Sequence, residues 1–172
     1  MSREYIVVDG YNVINSWDDF AGLKEIDLAH ARDQLVHKVS EYAAFYDYQA
    51  VLVFDAMDVK GPASVTELAG AKVVFTAENE TADTWIERYV YQLARGGGAK
   101  VFVVTSDYAE QNSILGSGAY RISSREFREK YLYAKKRISE KIEQRPGHSG
   151  RNEVAGRIHP GVLQNLEELR RK

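Results

Sequence analysis

Three apolar runs in this chain end on side chains that carry oxygen. Tyr5-Ile6-Val7-Val8 runs into Asp9-Gly10-Tyr11-Asn12, Val51-Leu52-Val53-Phe54 stops on Asp55, and Val101-Phe102-Val103-Val104 leads to Thr105-Ser106-Asp107. A further acid, Asp83, lies in Glu80-Thr81-Ala82-Asp83, where a helix is expected to begin. An acid at the carboxyl end of a buried parallel strand points into the crevice where open α/β sheets bind ligands. Gly10 reads as the residue that lets the backbone turn sharply, bringing the amide oxygen of Asn12 close to Asp9. Taken singly, each residue has an ordinary explanation. Asp9 and Asp107 would be caps, Asn12 a turn residue, and Asp83 a first-turn acid favoured by the helix dipole. Taken together they do not, because carboxylates gathered at one sheet edge repel one another unless a cation neutralises them. Asp9, Asp83 and Asp107 are therefore the expected metal ligands, with the amide oxygen of Asn12 close to Asp9. Hard oxygen donors select Mg²⁺ or Mn²⁺ over zinc or copper. Magnesium held by one or two carboxylates keeps waters and takes phosphate oxygens, which suits phosphodiester hydrolysis.

Other chemistries are poorly supplied. The chain has no cysteine, which removes disulfides, thiolate zinc and cysteine nucleophiles and suits a reducing cytoplasm. His30 and His37 share one expected helix and His148 and His159 fall in a polar tail, so no histidine stands at a strand end. The Gly-rich run at Gly96-Gly97-Gly98 lacks phosphate-loop spacing and precedes a strand rather than a helix.

The elements that must position the acids alternate between strand and helix. After the first strand a polar loop spans residues 15–27, followed by a helix from Asp27 to Tyr46 with Leu28, Ala31, Leu35, Val39 and Tyr42 on one face. Asp27 is its expected N-cap. Strands follow at 50–54, 72–75 and 100–104, and residues 55–70 read as a loop carrying Gly61-Pro62. A helix begins near Thr81, buries Trp85, Ile86, Tyr89, Val90 and Leu93, and ends at the three glycines. A short helix at 108–115, a turn with room for a short fifth strand at 116–122, and a long helix from Ser123 or Ser124 to about Gln144 complete the main body. Residues 1–147 are expected to form one domain, and 148–172 a polar tail with a short terminal helix. This alternation implies right-handed crossovers and a three-layer α/β/α fold around a central, mainly parallel sheet.

The 172 residues are 44% hydrophobic and 28% charged, as in a soluble globular domain. No apolar run approaches the roughly 20 residues that span a bilayer, and the first residues carry no signal-peptide pattern. The expectation is a cytoplasmic monomer without a membrane partner. The net charge of −2 hides a segregation. Residues 1–120 carry 9 Lys and Arg against 18 Asp and Glu, a balance of −9, whereas 121–172 carry 14 against 7, a balance of +7. A basic C-terminal third is an electrostatic footprint for nucleic acid, or else a solvated face of mixed charge.

Asp9-Gly10-Tyr11-Asn12, Val53-Phe54-Asp55-Ala56, Glu78-Asn79-Glu80-Thr81-Ala82-Asp83 and Thr105-Ser106-Asp107-Tyr108, in this order, resemble the NYN domains, relatives of the PIN-like nucleases. The closer resemblance is to the YacP-type proteins of Firmicutes, which include a ribosome-associated A-site endoribonuclease. It runs from the first strand into the basic helix near residue 140. It implies a metal-dependent endoribonuclease that associates with ribosomal RNA and cleaves mRNA in the A site during translation. By the same resemblance, Asp9, Asn12, Asp83 and Asp107 form the acidic site, and Ser106 beside Asp107 binds a metal water or a phosphate. Asp55 either joins the site or orients a ligand, and Glu80 either does the same or caps the helix.

An acidic site needs basic groups to bring RNA in. The candidates are Lys60, Arg121, Arg125, Arg128, Lys135, Lys136 and Arg137, with Tyr11, Trp17 and Tyr108 as stacking platforms for unpaired bases. On the ribosome this basic set would grip ribosomal RNA rather than substrate. The competing reading is a non-catalytic ribosome- or RNA-binding module whose acids are caps. A haloacid dehalogenase-type phosphatase also starts with a strand ending in Asp, but it needs a second Asp two residues on, where this chain has Tyr11.

Overall fold

The computed structural model describes residues 2–57, 59–107, 112, 114 and 116–145. Strands β1 (Glu4–Asp9), β2 (Gln49–Phe54), β3 (Ser64–Leu68), β4 (Ala71–Phe75), β5 (Lys100–Val104) and β6 (Tyr120–Ile122) form one sheet in the order β3-β4-β2-β1-β5-β6. All neighbours are parallel except β3 and β4. β1 lies at the centre, with Val7 opposite Val51 on one side and Val103 on the other. From β1 the chain moves outward through β2 and β4. It then crosses to the far side of β1 for β5 and β6. The loops that leave β1 and β5 therefore diverge, and that is where such sheets open a crevice.

Helices cover both faces. Side chains alternate along a strand, so Ile6 and Val8 join one core and Val7 the other. The first core is built with Val13, Phe20, Leu35, Phe54, Phe127 and Tyr131. These come in part from α1 (Gly10–Ser16), α3 (Leu28–Tyr46) and α5 (Ser124–Glu143). The second core packs Ile86 and Val90 of α4 (Ala82–Arg95) against Val51, Val53 and Val103. The three-layer α/β/α architecture with a mainly parallel sheet is as expected. By contact density the chain divides into two units, 1–136 and 137–172. The described part of the second unit comprises the last turns of α5, where Arg137 pairs with Glu140 at 3.2 Å, and the two residues after them.

The start signals behave as their chemistry dictates. His30 N–H donates to Asp27 Oδ1 at 2.9 Å, capping α3. Thr81 Oγ1 accepts from Thr84 N–H at 3.2 Å, capping α4. Ser123 caps α5 through a reciprocal box: its Oγ accepts from Glu126 N–H at 3.1 Å, and Glu126 Oε2 accepts from Ser123 N–H at 2.8 Å.

Several expectations are corrected. The segment after Asp9 is not a turn and a loop. It is helix α1, a 3₁₀ turn at Asp18–Phe20 and the short helix α2 (Leu23–Ile26). Within the expected loop 55–70 lies β3, whose five residues are all exposed. A strand wet on both faces has no alternating apolar pattern to betray it. Trp17 is not a stacking platform: it is buried, stacks near Phe20 and Tyr131, and its indole N–H donates to the Ser124 carbonyl at 2.7 Å. Most of the expected helix at 108–115, Tyr108 with it, and the tail 148–172 lie outside the described residues.

Candidate acidic site

Asp9 is the last residue of the central strand and the N-cap of α1. Its Oδ1 accepts from the Asn12 N–H at 3.3 Å, and its side chain is buried. Burial pushes its carboxyl up to about 6. The Asn12 hydrogen bond pulls it down, and the negative charges of Asp83, Asp107 and Asp55 push it further up. Each charged group that moves it is another acid. The four acids foreseen from separate segments thus stand in one electrostatic field at the switch point of the sheet.

The supports differ. Asp55 follows β2, and its Oδ1 accepts from Met57 N–H at 3.2 Å. The next residue, Ala56, donates its N–H to the buried Thr76 Oγ1 at 3.0 Å, which ties the loops after β2 and β4. Asp83 sits half-buried in the first turn of α4. Asp107 N–H donates to Oγ1 of the fully buried Thr105 at 3.1 Å. The two threonines were not foreseen as positioning residues, although a hydroxyl at the end of an apolar strand was the available signal. Glu80, just before α4, forms an ion pair with Arg88 of that helix, so its charge is already matched.

Asn12 links three elements. Its Oδ1 accepts from Ser106 N–H at 2.9 Å and from Ser124 Oγ at 2.6 Å. Ser106 Oγ in turn accepts from Ser124 N–H at 3.0 Å. A carbonyl oxygen has two lone pairs, and both are used here. Asn12 therefore locks the loop after β1 to the loop carrying Asp107 and to the start of α5. Ser124, expected only as a cap, is buried inside this lock. Gly10 also has a reason different from the one expected. A Cβ at this position would lie 2.2 Å from Cε1 of Phe54. The glycine is there so that the Phe54 ring can lie across the start of α1. Tyr11 meets that ring edge-on at 5.2 Å, and its hydroxyl accepts from Arg32 Nη1 at 3.0 Å. That holds it against the protein rather than as an open platform.

Among the described residues, no three His, Asp or Glu side chains are grouped so as to hold an ion. The acids share a field without forming a closed cage. The donor set is nonetheless all oxygen and includes a buried carboxylate pushed toward protonation, which is donor chemistry of the kind hard divalent ions take.

The basic candidates are dispersed. Lys60 lines a cleft of about 430 Å³ that also takes in Asp55, Glu78, Asn79 and Glu80. Arg121 is half-buried on β6. Arg125 is exposed and pairs with Glu129 at 3.8 Å. Arg128 is committed elsewhere: its Nε and Nη2 reach Asp19 Oδ1 at 2.9 and 2.8 Å, joining α5 to the 3₁₀ turn. Lys135 lies over the Tyr131 ring at 5.9 Å, and Lys136 and Arg137 are exposed.

Comparison with known proteins gives one consistent picture. Residues 6–171 match the family described as YacP-like NYN domain. The uncharacterized protein YacP of Bacillus subtilis (strain 168) is 34% identical over 168 residues, 98% of this chain and 97% of that protein. The crystal structure of Rae1 (YacP) from Bacillus subtilis has a TM-score of 0.72 at 34% identity, covering 97% of this chain and 94% of that one. The crystal structure of a point mutant of that protein gives the same TM-score of 0.72 at 32% identity, covering 96% and 99%.

Proposed function

The chain belongs to the YacP-like NYN domain family, and from that premise we propose that it is a metal-dependent endoribonuclease that associates with the ribosome and cleaves mRNA in the A site during translation. The family and fold are of nuclease type and RNA-related. The observation that supports its metal-dependent nuclease part is Asp9: a buried carboxylate, pushed up to about 6, with three further acids around it at the sheet's switch point. A fold does not keep such a repulsive group in its centre for stability. Asp9, Asp83 and Asp107 would hold Mg²⁺ or Mn²⁺. The ion would supply an acidified water and neutralise charge on the scissile phosphate.

The chain's own residues then divide the remaining work. Asp9 is fixed by the α1 cap, Asp107 by Thr105, and the loop between them by Asn12, Ser106 and Ser124. Lys60 and the cations of α5 draw in RNA against an otherwise acidic edge. On the ribosome, the α5 cations suit ribosomal RNA and Lys60 suits the substrate strand.

One observation favours a second reading, the non-catalytic RNA-binding module: the absence of a closed ligand group among the described residues. Mapping mRNA 5′ ends in cells separates the two. New ends are expected with wild-type protein on translated messages and not with Asp83→Asn. Identical ends with both proteins would leave the binding module standing. Persistence of cleavage in excess EDTA would remove the metal from the mechanism.

A further inference from the structure

The cleft beside the acids has a composition that the cleavage reaction alone does not require. Its 430 Å³ lies within the range of about 300–1,000 Å³ of small-ligand sites. One wall is the loop after β2, with Met57, Val59 and Lys60; the other is the loop after β4, with Glu78 and Asn79. The walls are built rather than incidental. Glu78 N–H donates to the Gly61 carbonyl at 3.0 Å, Thr76 N–H to the Phe54 carbonyl at 3.0 Å, and Ala56 N–H to Thr76 Oγ1 at 3.0 Å. The cleft meets the acidic site at Asp55, which lines it and also acts on Asp9.

Three features define what it would take. Met57 and Val59 are 57% and 67% exposed, so the cleft offers apolar surface to a flat ring. Met57 and Asn79 both have left-handed backbones, φ 45° and 63°, on facing walls. Non-glycine residues held this way cluster at ligand clamps. Among the described residues the charged lining is mostly acceptor: the carboxylates of Asp55 and Glu78, with Glu80 already neutralised by Arg88, against one cation, Lys60, while Asn79 and Thr81 can donate or accept. Such a lining repels a phosphate in its body but accepts hydrogen bonds from exocyclic amino groups.

We infer that this cleft receives one unpaired base of the RNA strand next to the cut, and that it prefers bases carrying an amino group, adenine, cytosine or guanine, over uracil. The base lies on Met57 and Val59, Glu78 accepts from its amino group, Asn79 meets the remaining edge, and Lys60 at the rim takes the adjoining phosphate. Uracil has no amino group: it offers a single ring N3–H, and the two carbonyls that flank it would face carboxylates. Unpaired bases are commonly splayed into pockets and read on their pairing edges. The inference rests on the nuclease reading for its substrate but has its own test.

The test is fluorescence anisotropy with fully 2′-O-methylated, uncleavable pentamers of A, C and U, in EDTA. A and C pentamers are expected to bind about tenfold more tightly than U, as one charge-assisted hydrogen bond would give. Glu78→Gln should narrow that ratio to about threefold or less, and Asn79→Gly and Lys60→Ala should weaken all three pentamers. Glu78 and Asn79 are exposed, and glycine suits the backbone at Asn79, so thermal unfolding should confirm that both variants fold. Equal binding of A, C and U by the wild type would overturn the inference, as would an unchanged ratio in Glu78→Gln. A separate cleavage assay on unmodified RNA with Mg²⁺, comparing wild type with Asp83→Asn, keeps the two readings apart. A base preference without any cleavage by wild type leaves the cleft standing and removes the nuclease; cleavage with a flat preference does the reverse.

Discussion

The Asp9 carboxylate accepts the Asn12 N–H as the cap of α1 and stands in the field of Asp55, Asp83 and Asp107. A carboxyl raised from 3.8 to about 6 costs stability once it ionises, by roughly 3 kcal/mol at most. Because the folded-state value lies above the unfolded one, the folded protein holds the extra proton between about pH 4 and 6. Stability therefore falls as pH rises through that window and stays low above it. Asn caps a helix as well as Asp does. Asp9→Asn should thus stabilise the protein by about 1–3 kcal/mol at pH 8 in urea unfolding, and the gain should vanish near pH 4. A loss of stability at pH 8 would mean that the charge is compensated in a way the acid cluster does not suggest. The same reasoning gives a ligand test. Millimolar Mg²⁺ or Mn²⁺ should raise the wild-type melting temperature and leave that of Asp9→Asn nearly unmoved, since only an ion bound to the folded state shifts it. At this scale the sequence was informative about the acids, because strand-end placement is visible in apolar runs. It did not mark Thr76, Thr105 and Ser124 as positioning residues: their hydroxyls act through partners 20, 2 and 112 residues away, and Ser124 reads locally only as a cap.

Among the elements, β1 and α1 set the geometry. The strand delivers Asp9, and the helix begins at once because Asp9 caps it. That immediacy makes Gly10 a packing residue. With the Phe54 ring atoms 2.2, 2.5 and 2.8 Å from an added Cβ, Gly10→Ala forces α1 off the sheet or Phe54 out of its place. Overpacking of this kind costs about 1–3 kcal/mol or more, and it should lower activity further by moving Asp9 and Asn12. Phe54→Leu in the same chain should recover part of the lost stability, measured by urea unfolding. A double variant no better than Gly10→Ala would show that the glycine serves backbone freedom instead. The long amphipathic helices and the central strands were legible because their periodicity reflects a one-sided or a complete burial. Helix α1 and strand β3 were not. Gly-Tyr-Asn carries turn chemistry locally and becomes helical through its cap and its packing on Phe54, and β3 is held by pairing with β4 alone while both its faces stay wet.

Across the molecule, the acidic first 120 residues and the basic remainder, −9 and +7, assign opposite electrostatic roles to the two parts of the chain. The structure divides the basic residues further. Arg128, gripping Asp19 through two nitrogens, is an internal tie, and Arg128→Ala should cost no more than about 1 kcal/mol of stability with little change in RNA affinity. Arg125 and Lys136 are exposed on α5, and Lys135 lies along Tyr131 on the same helix. If these three meet phosphates, reversing them together as Arg125→Glu, Lys135→Glu and Lys136→Glu should weaken binding to ribosomes or ribosomal RNA by more than about tenfold at low salt. The dependence of log affinity on log salt should also flatten, by roughly 2–3 in slope, because fewer counterions are released. The acids at the sheet edge are untouched by these changes. Cleavage of any RNA that still reaches the site should keep its rate per bound complex. A triple variant with unaltered salt dependence would place the nucleic-acid footprint elsewhere and leave the basic helix as a solvated face, the reading that its paired charges, Arg125 with Glu129 and Arg137 with Glu140, also permit.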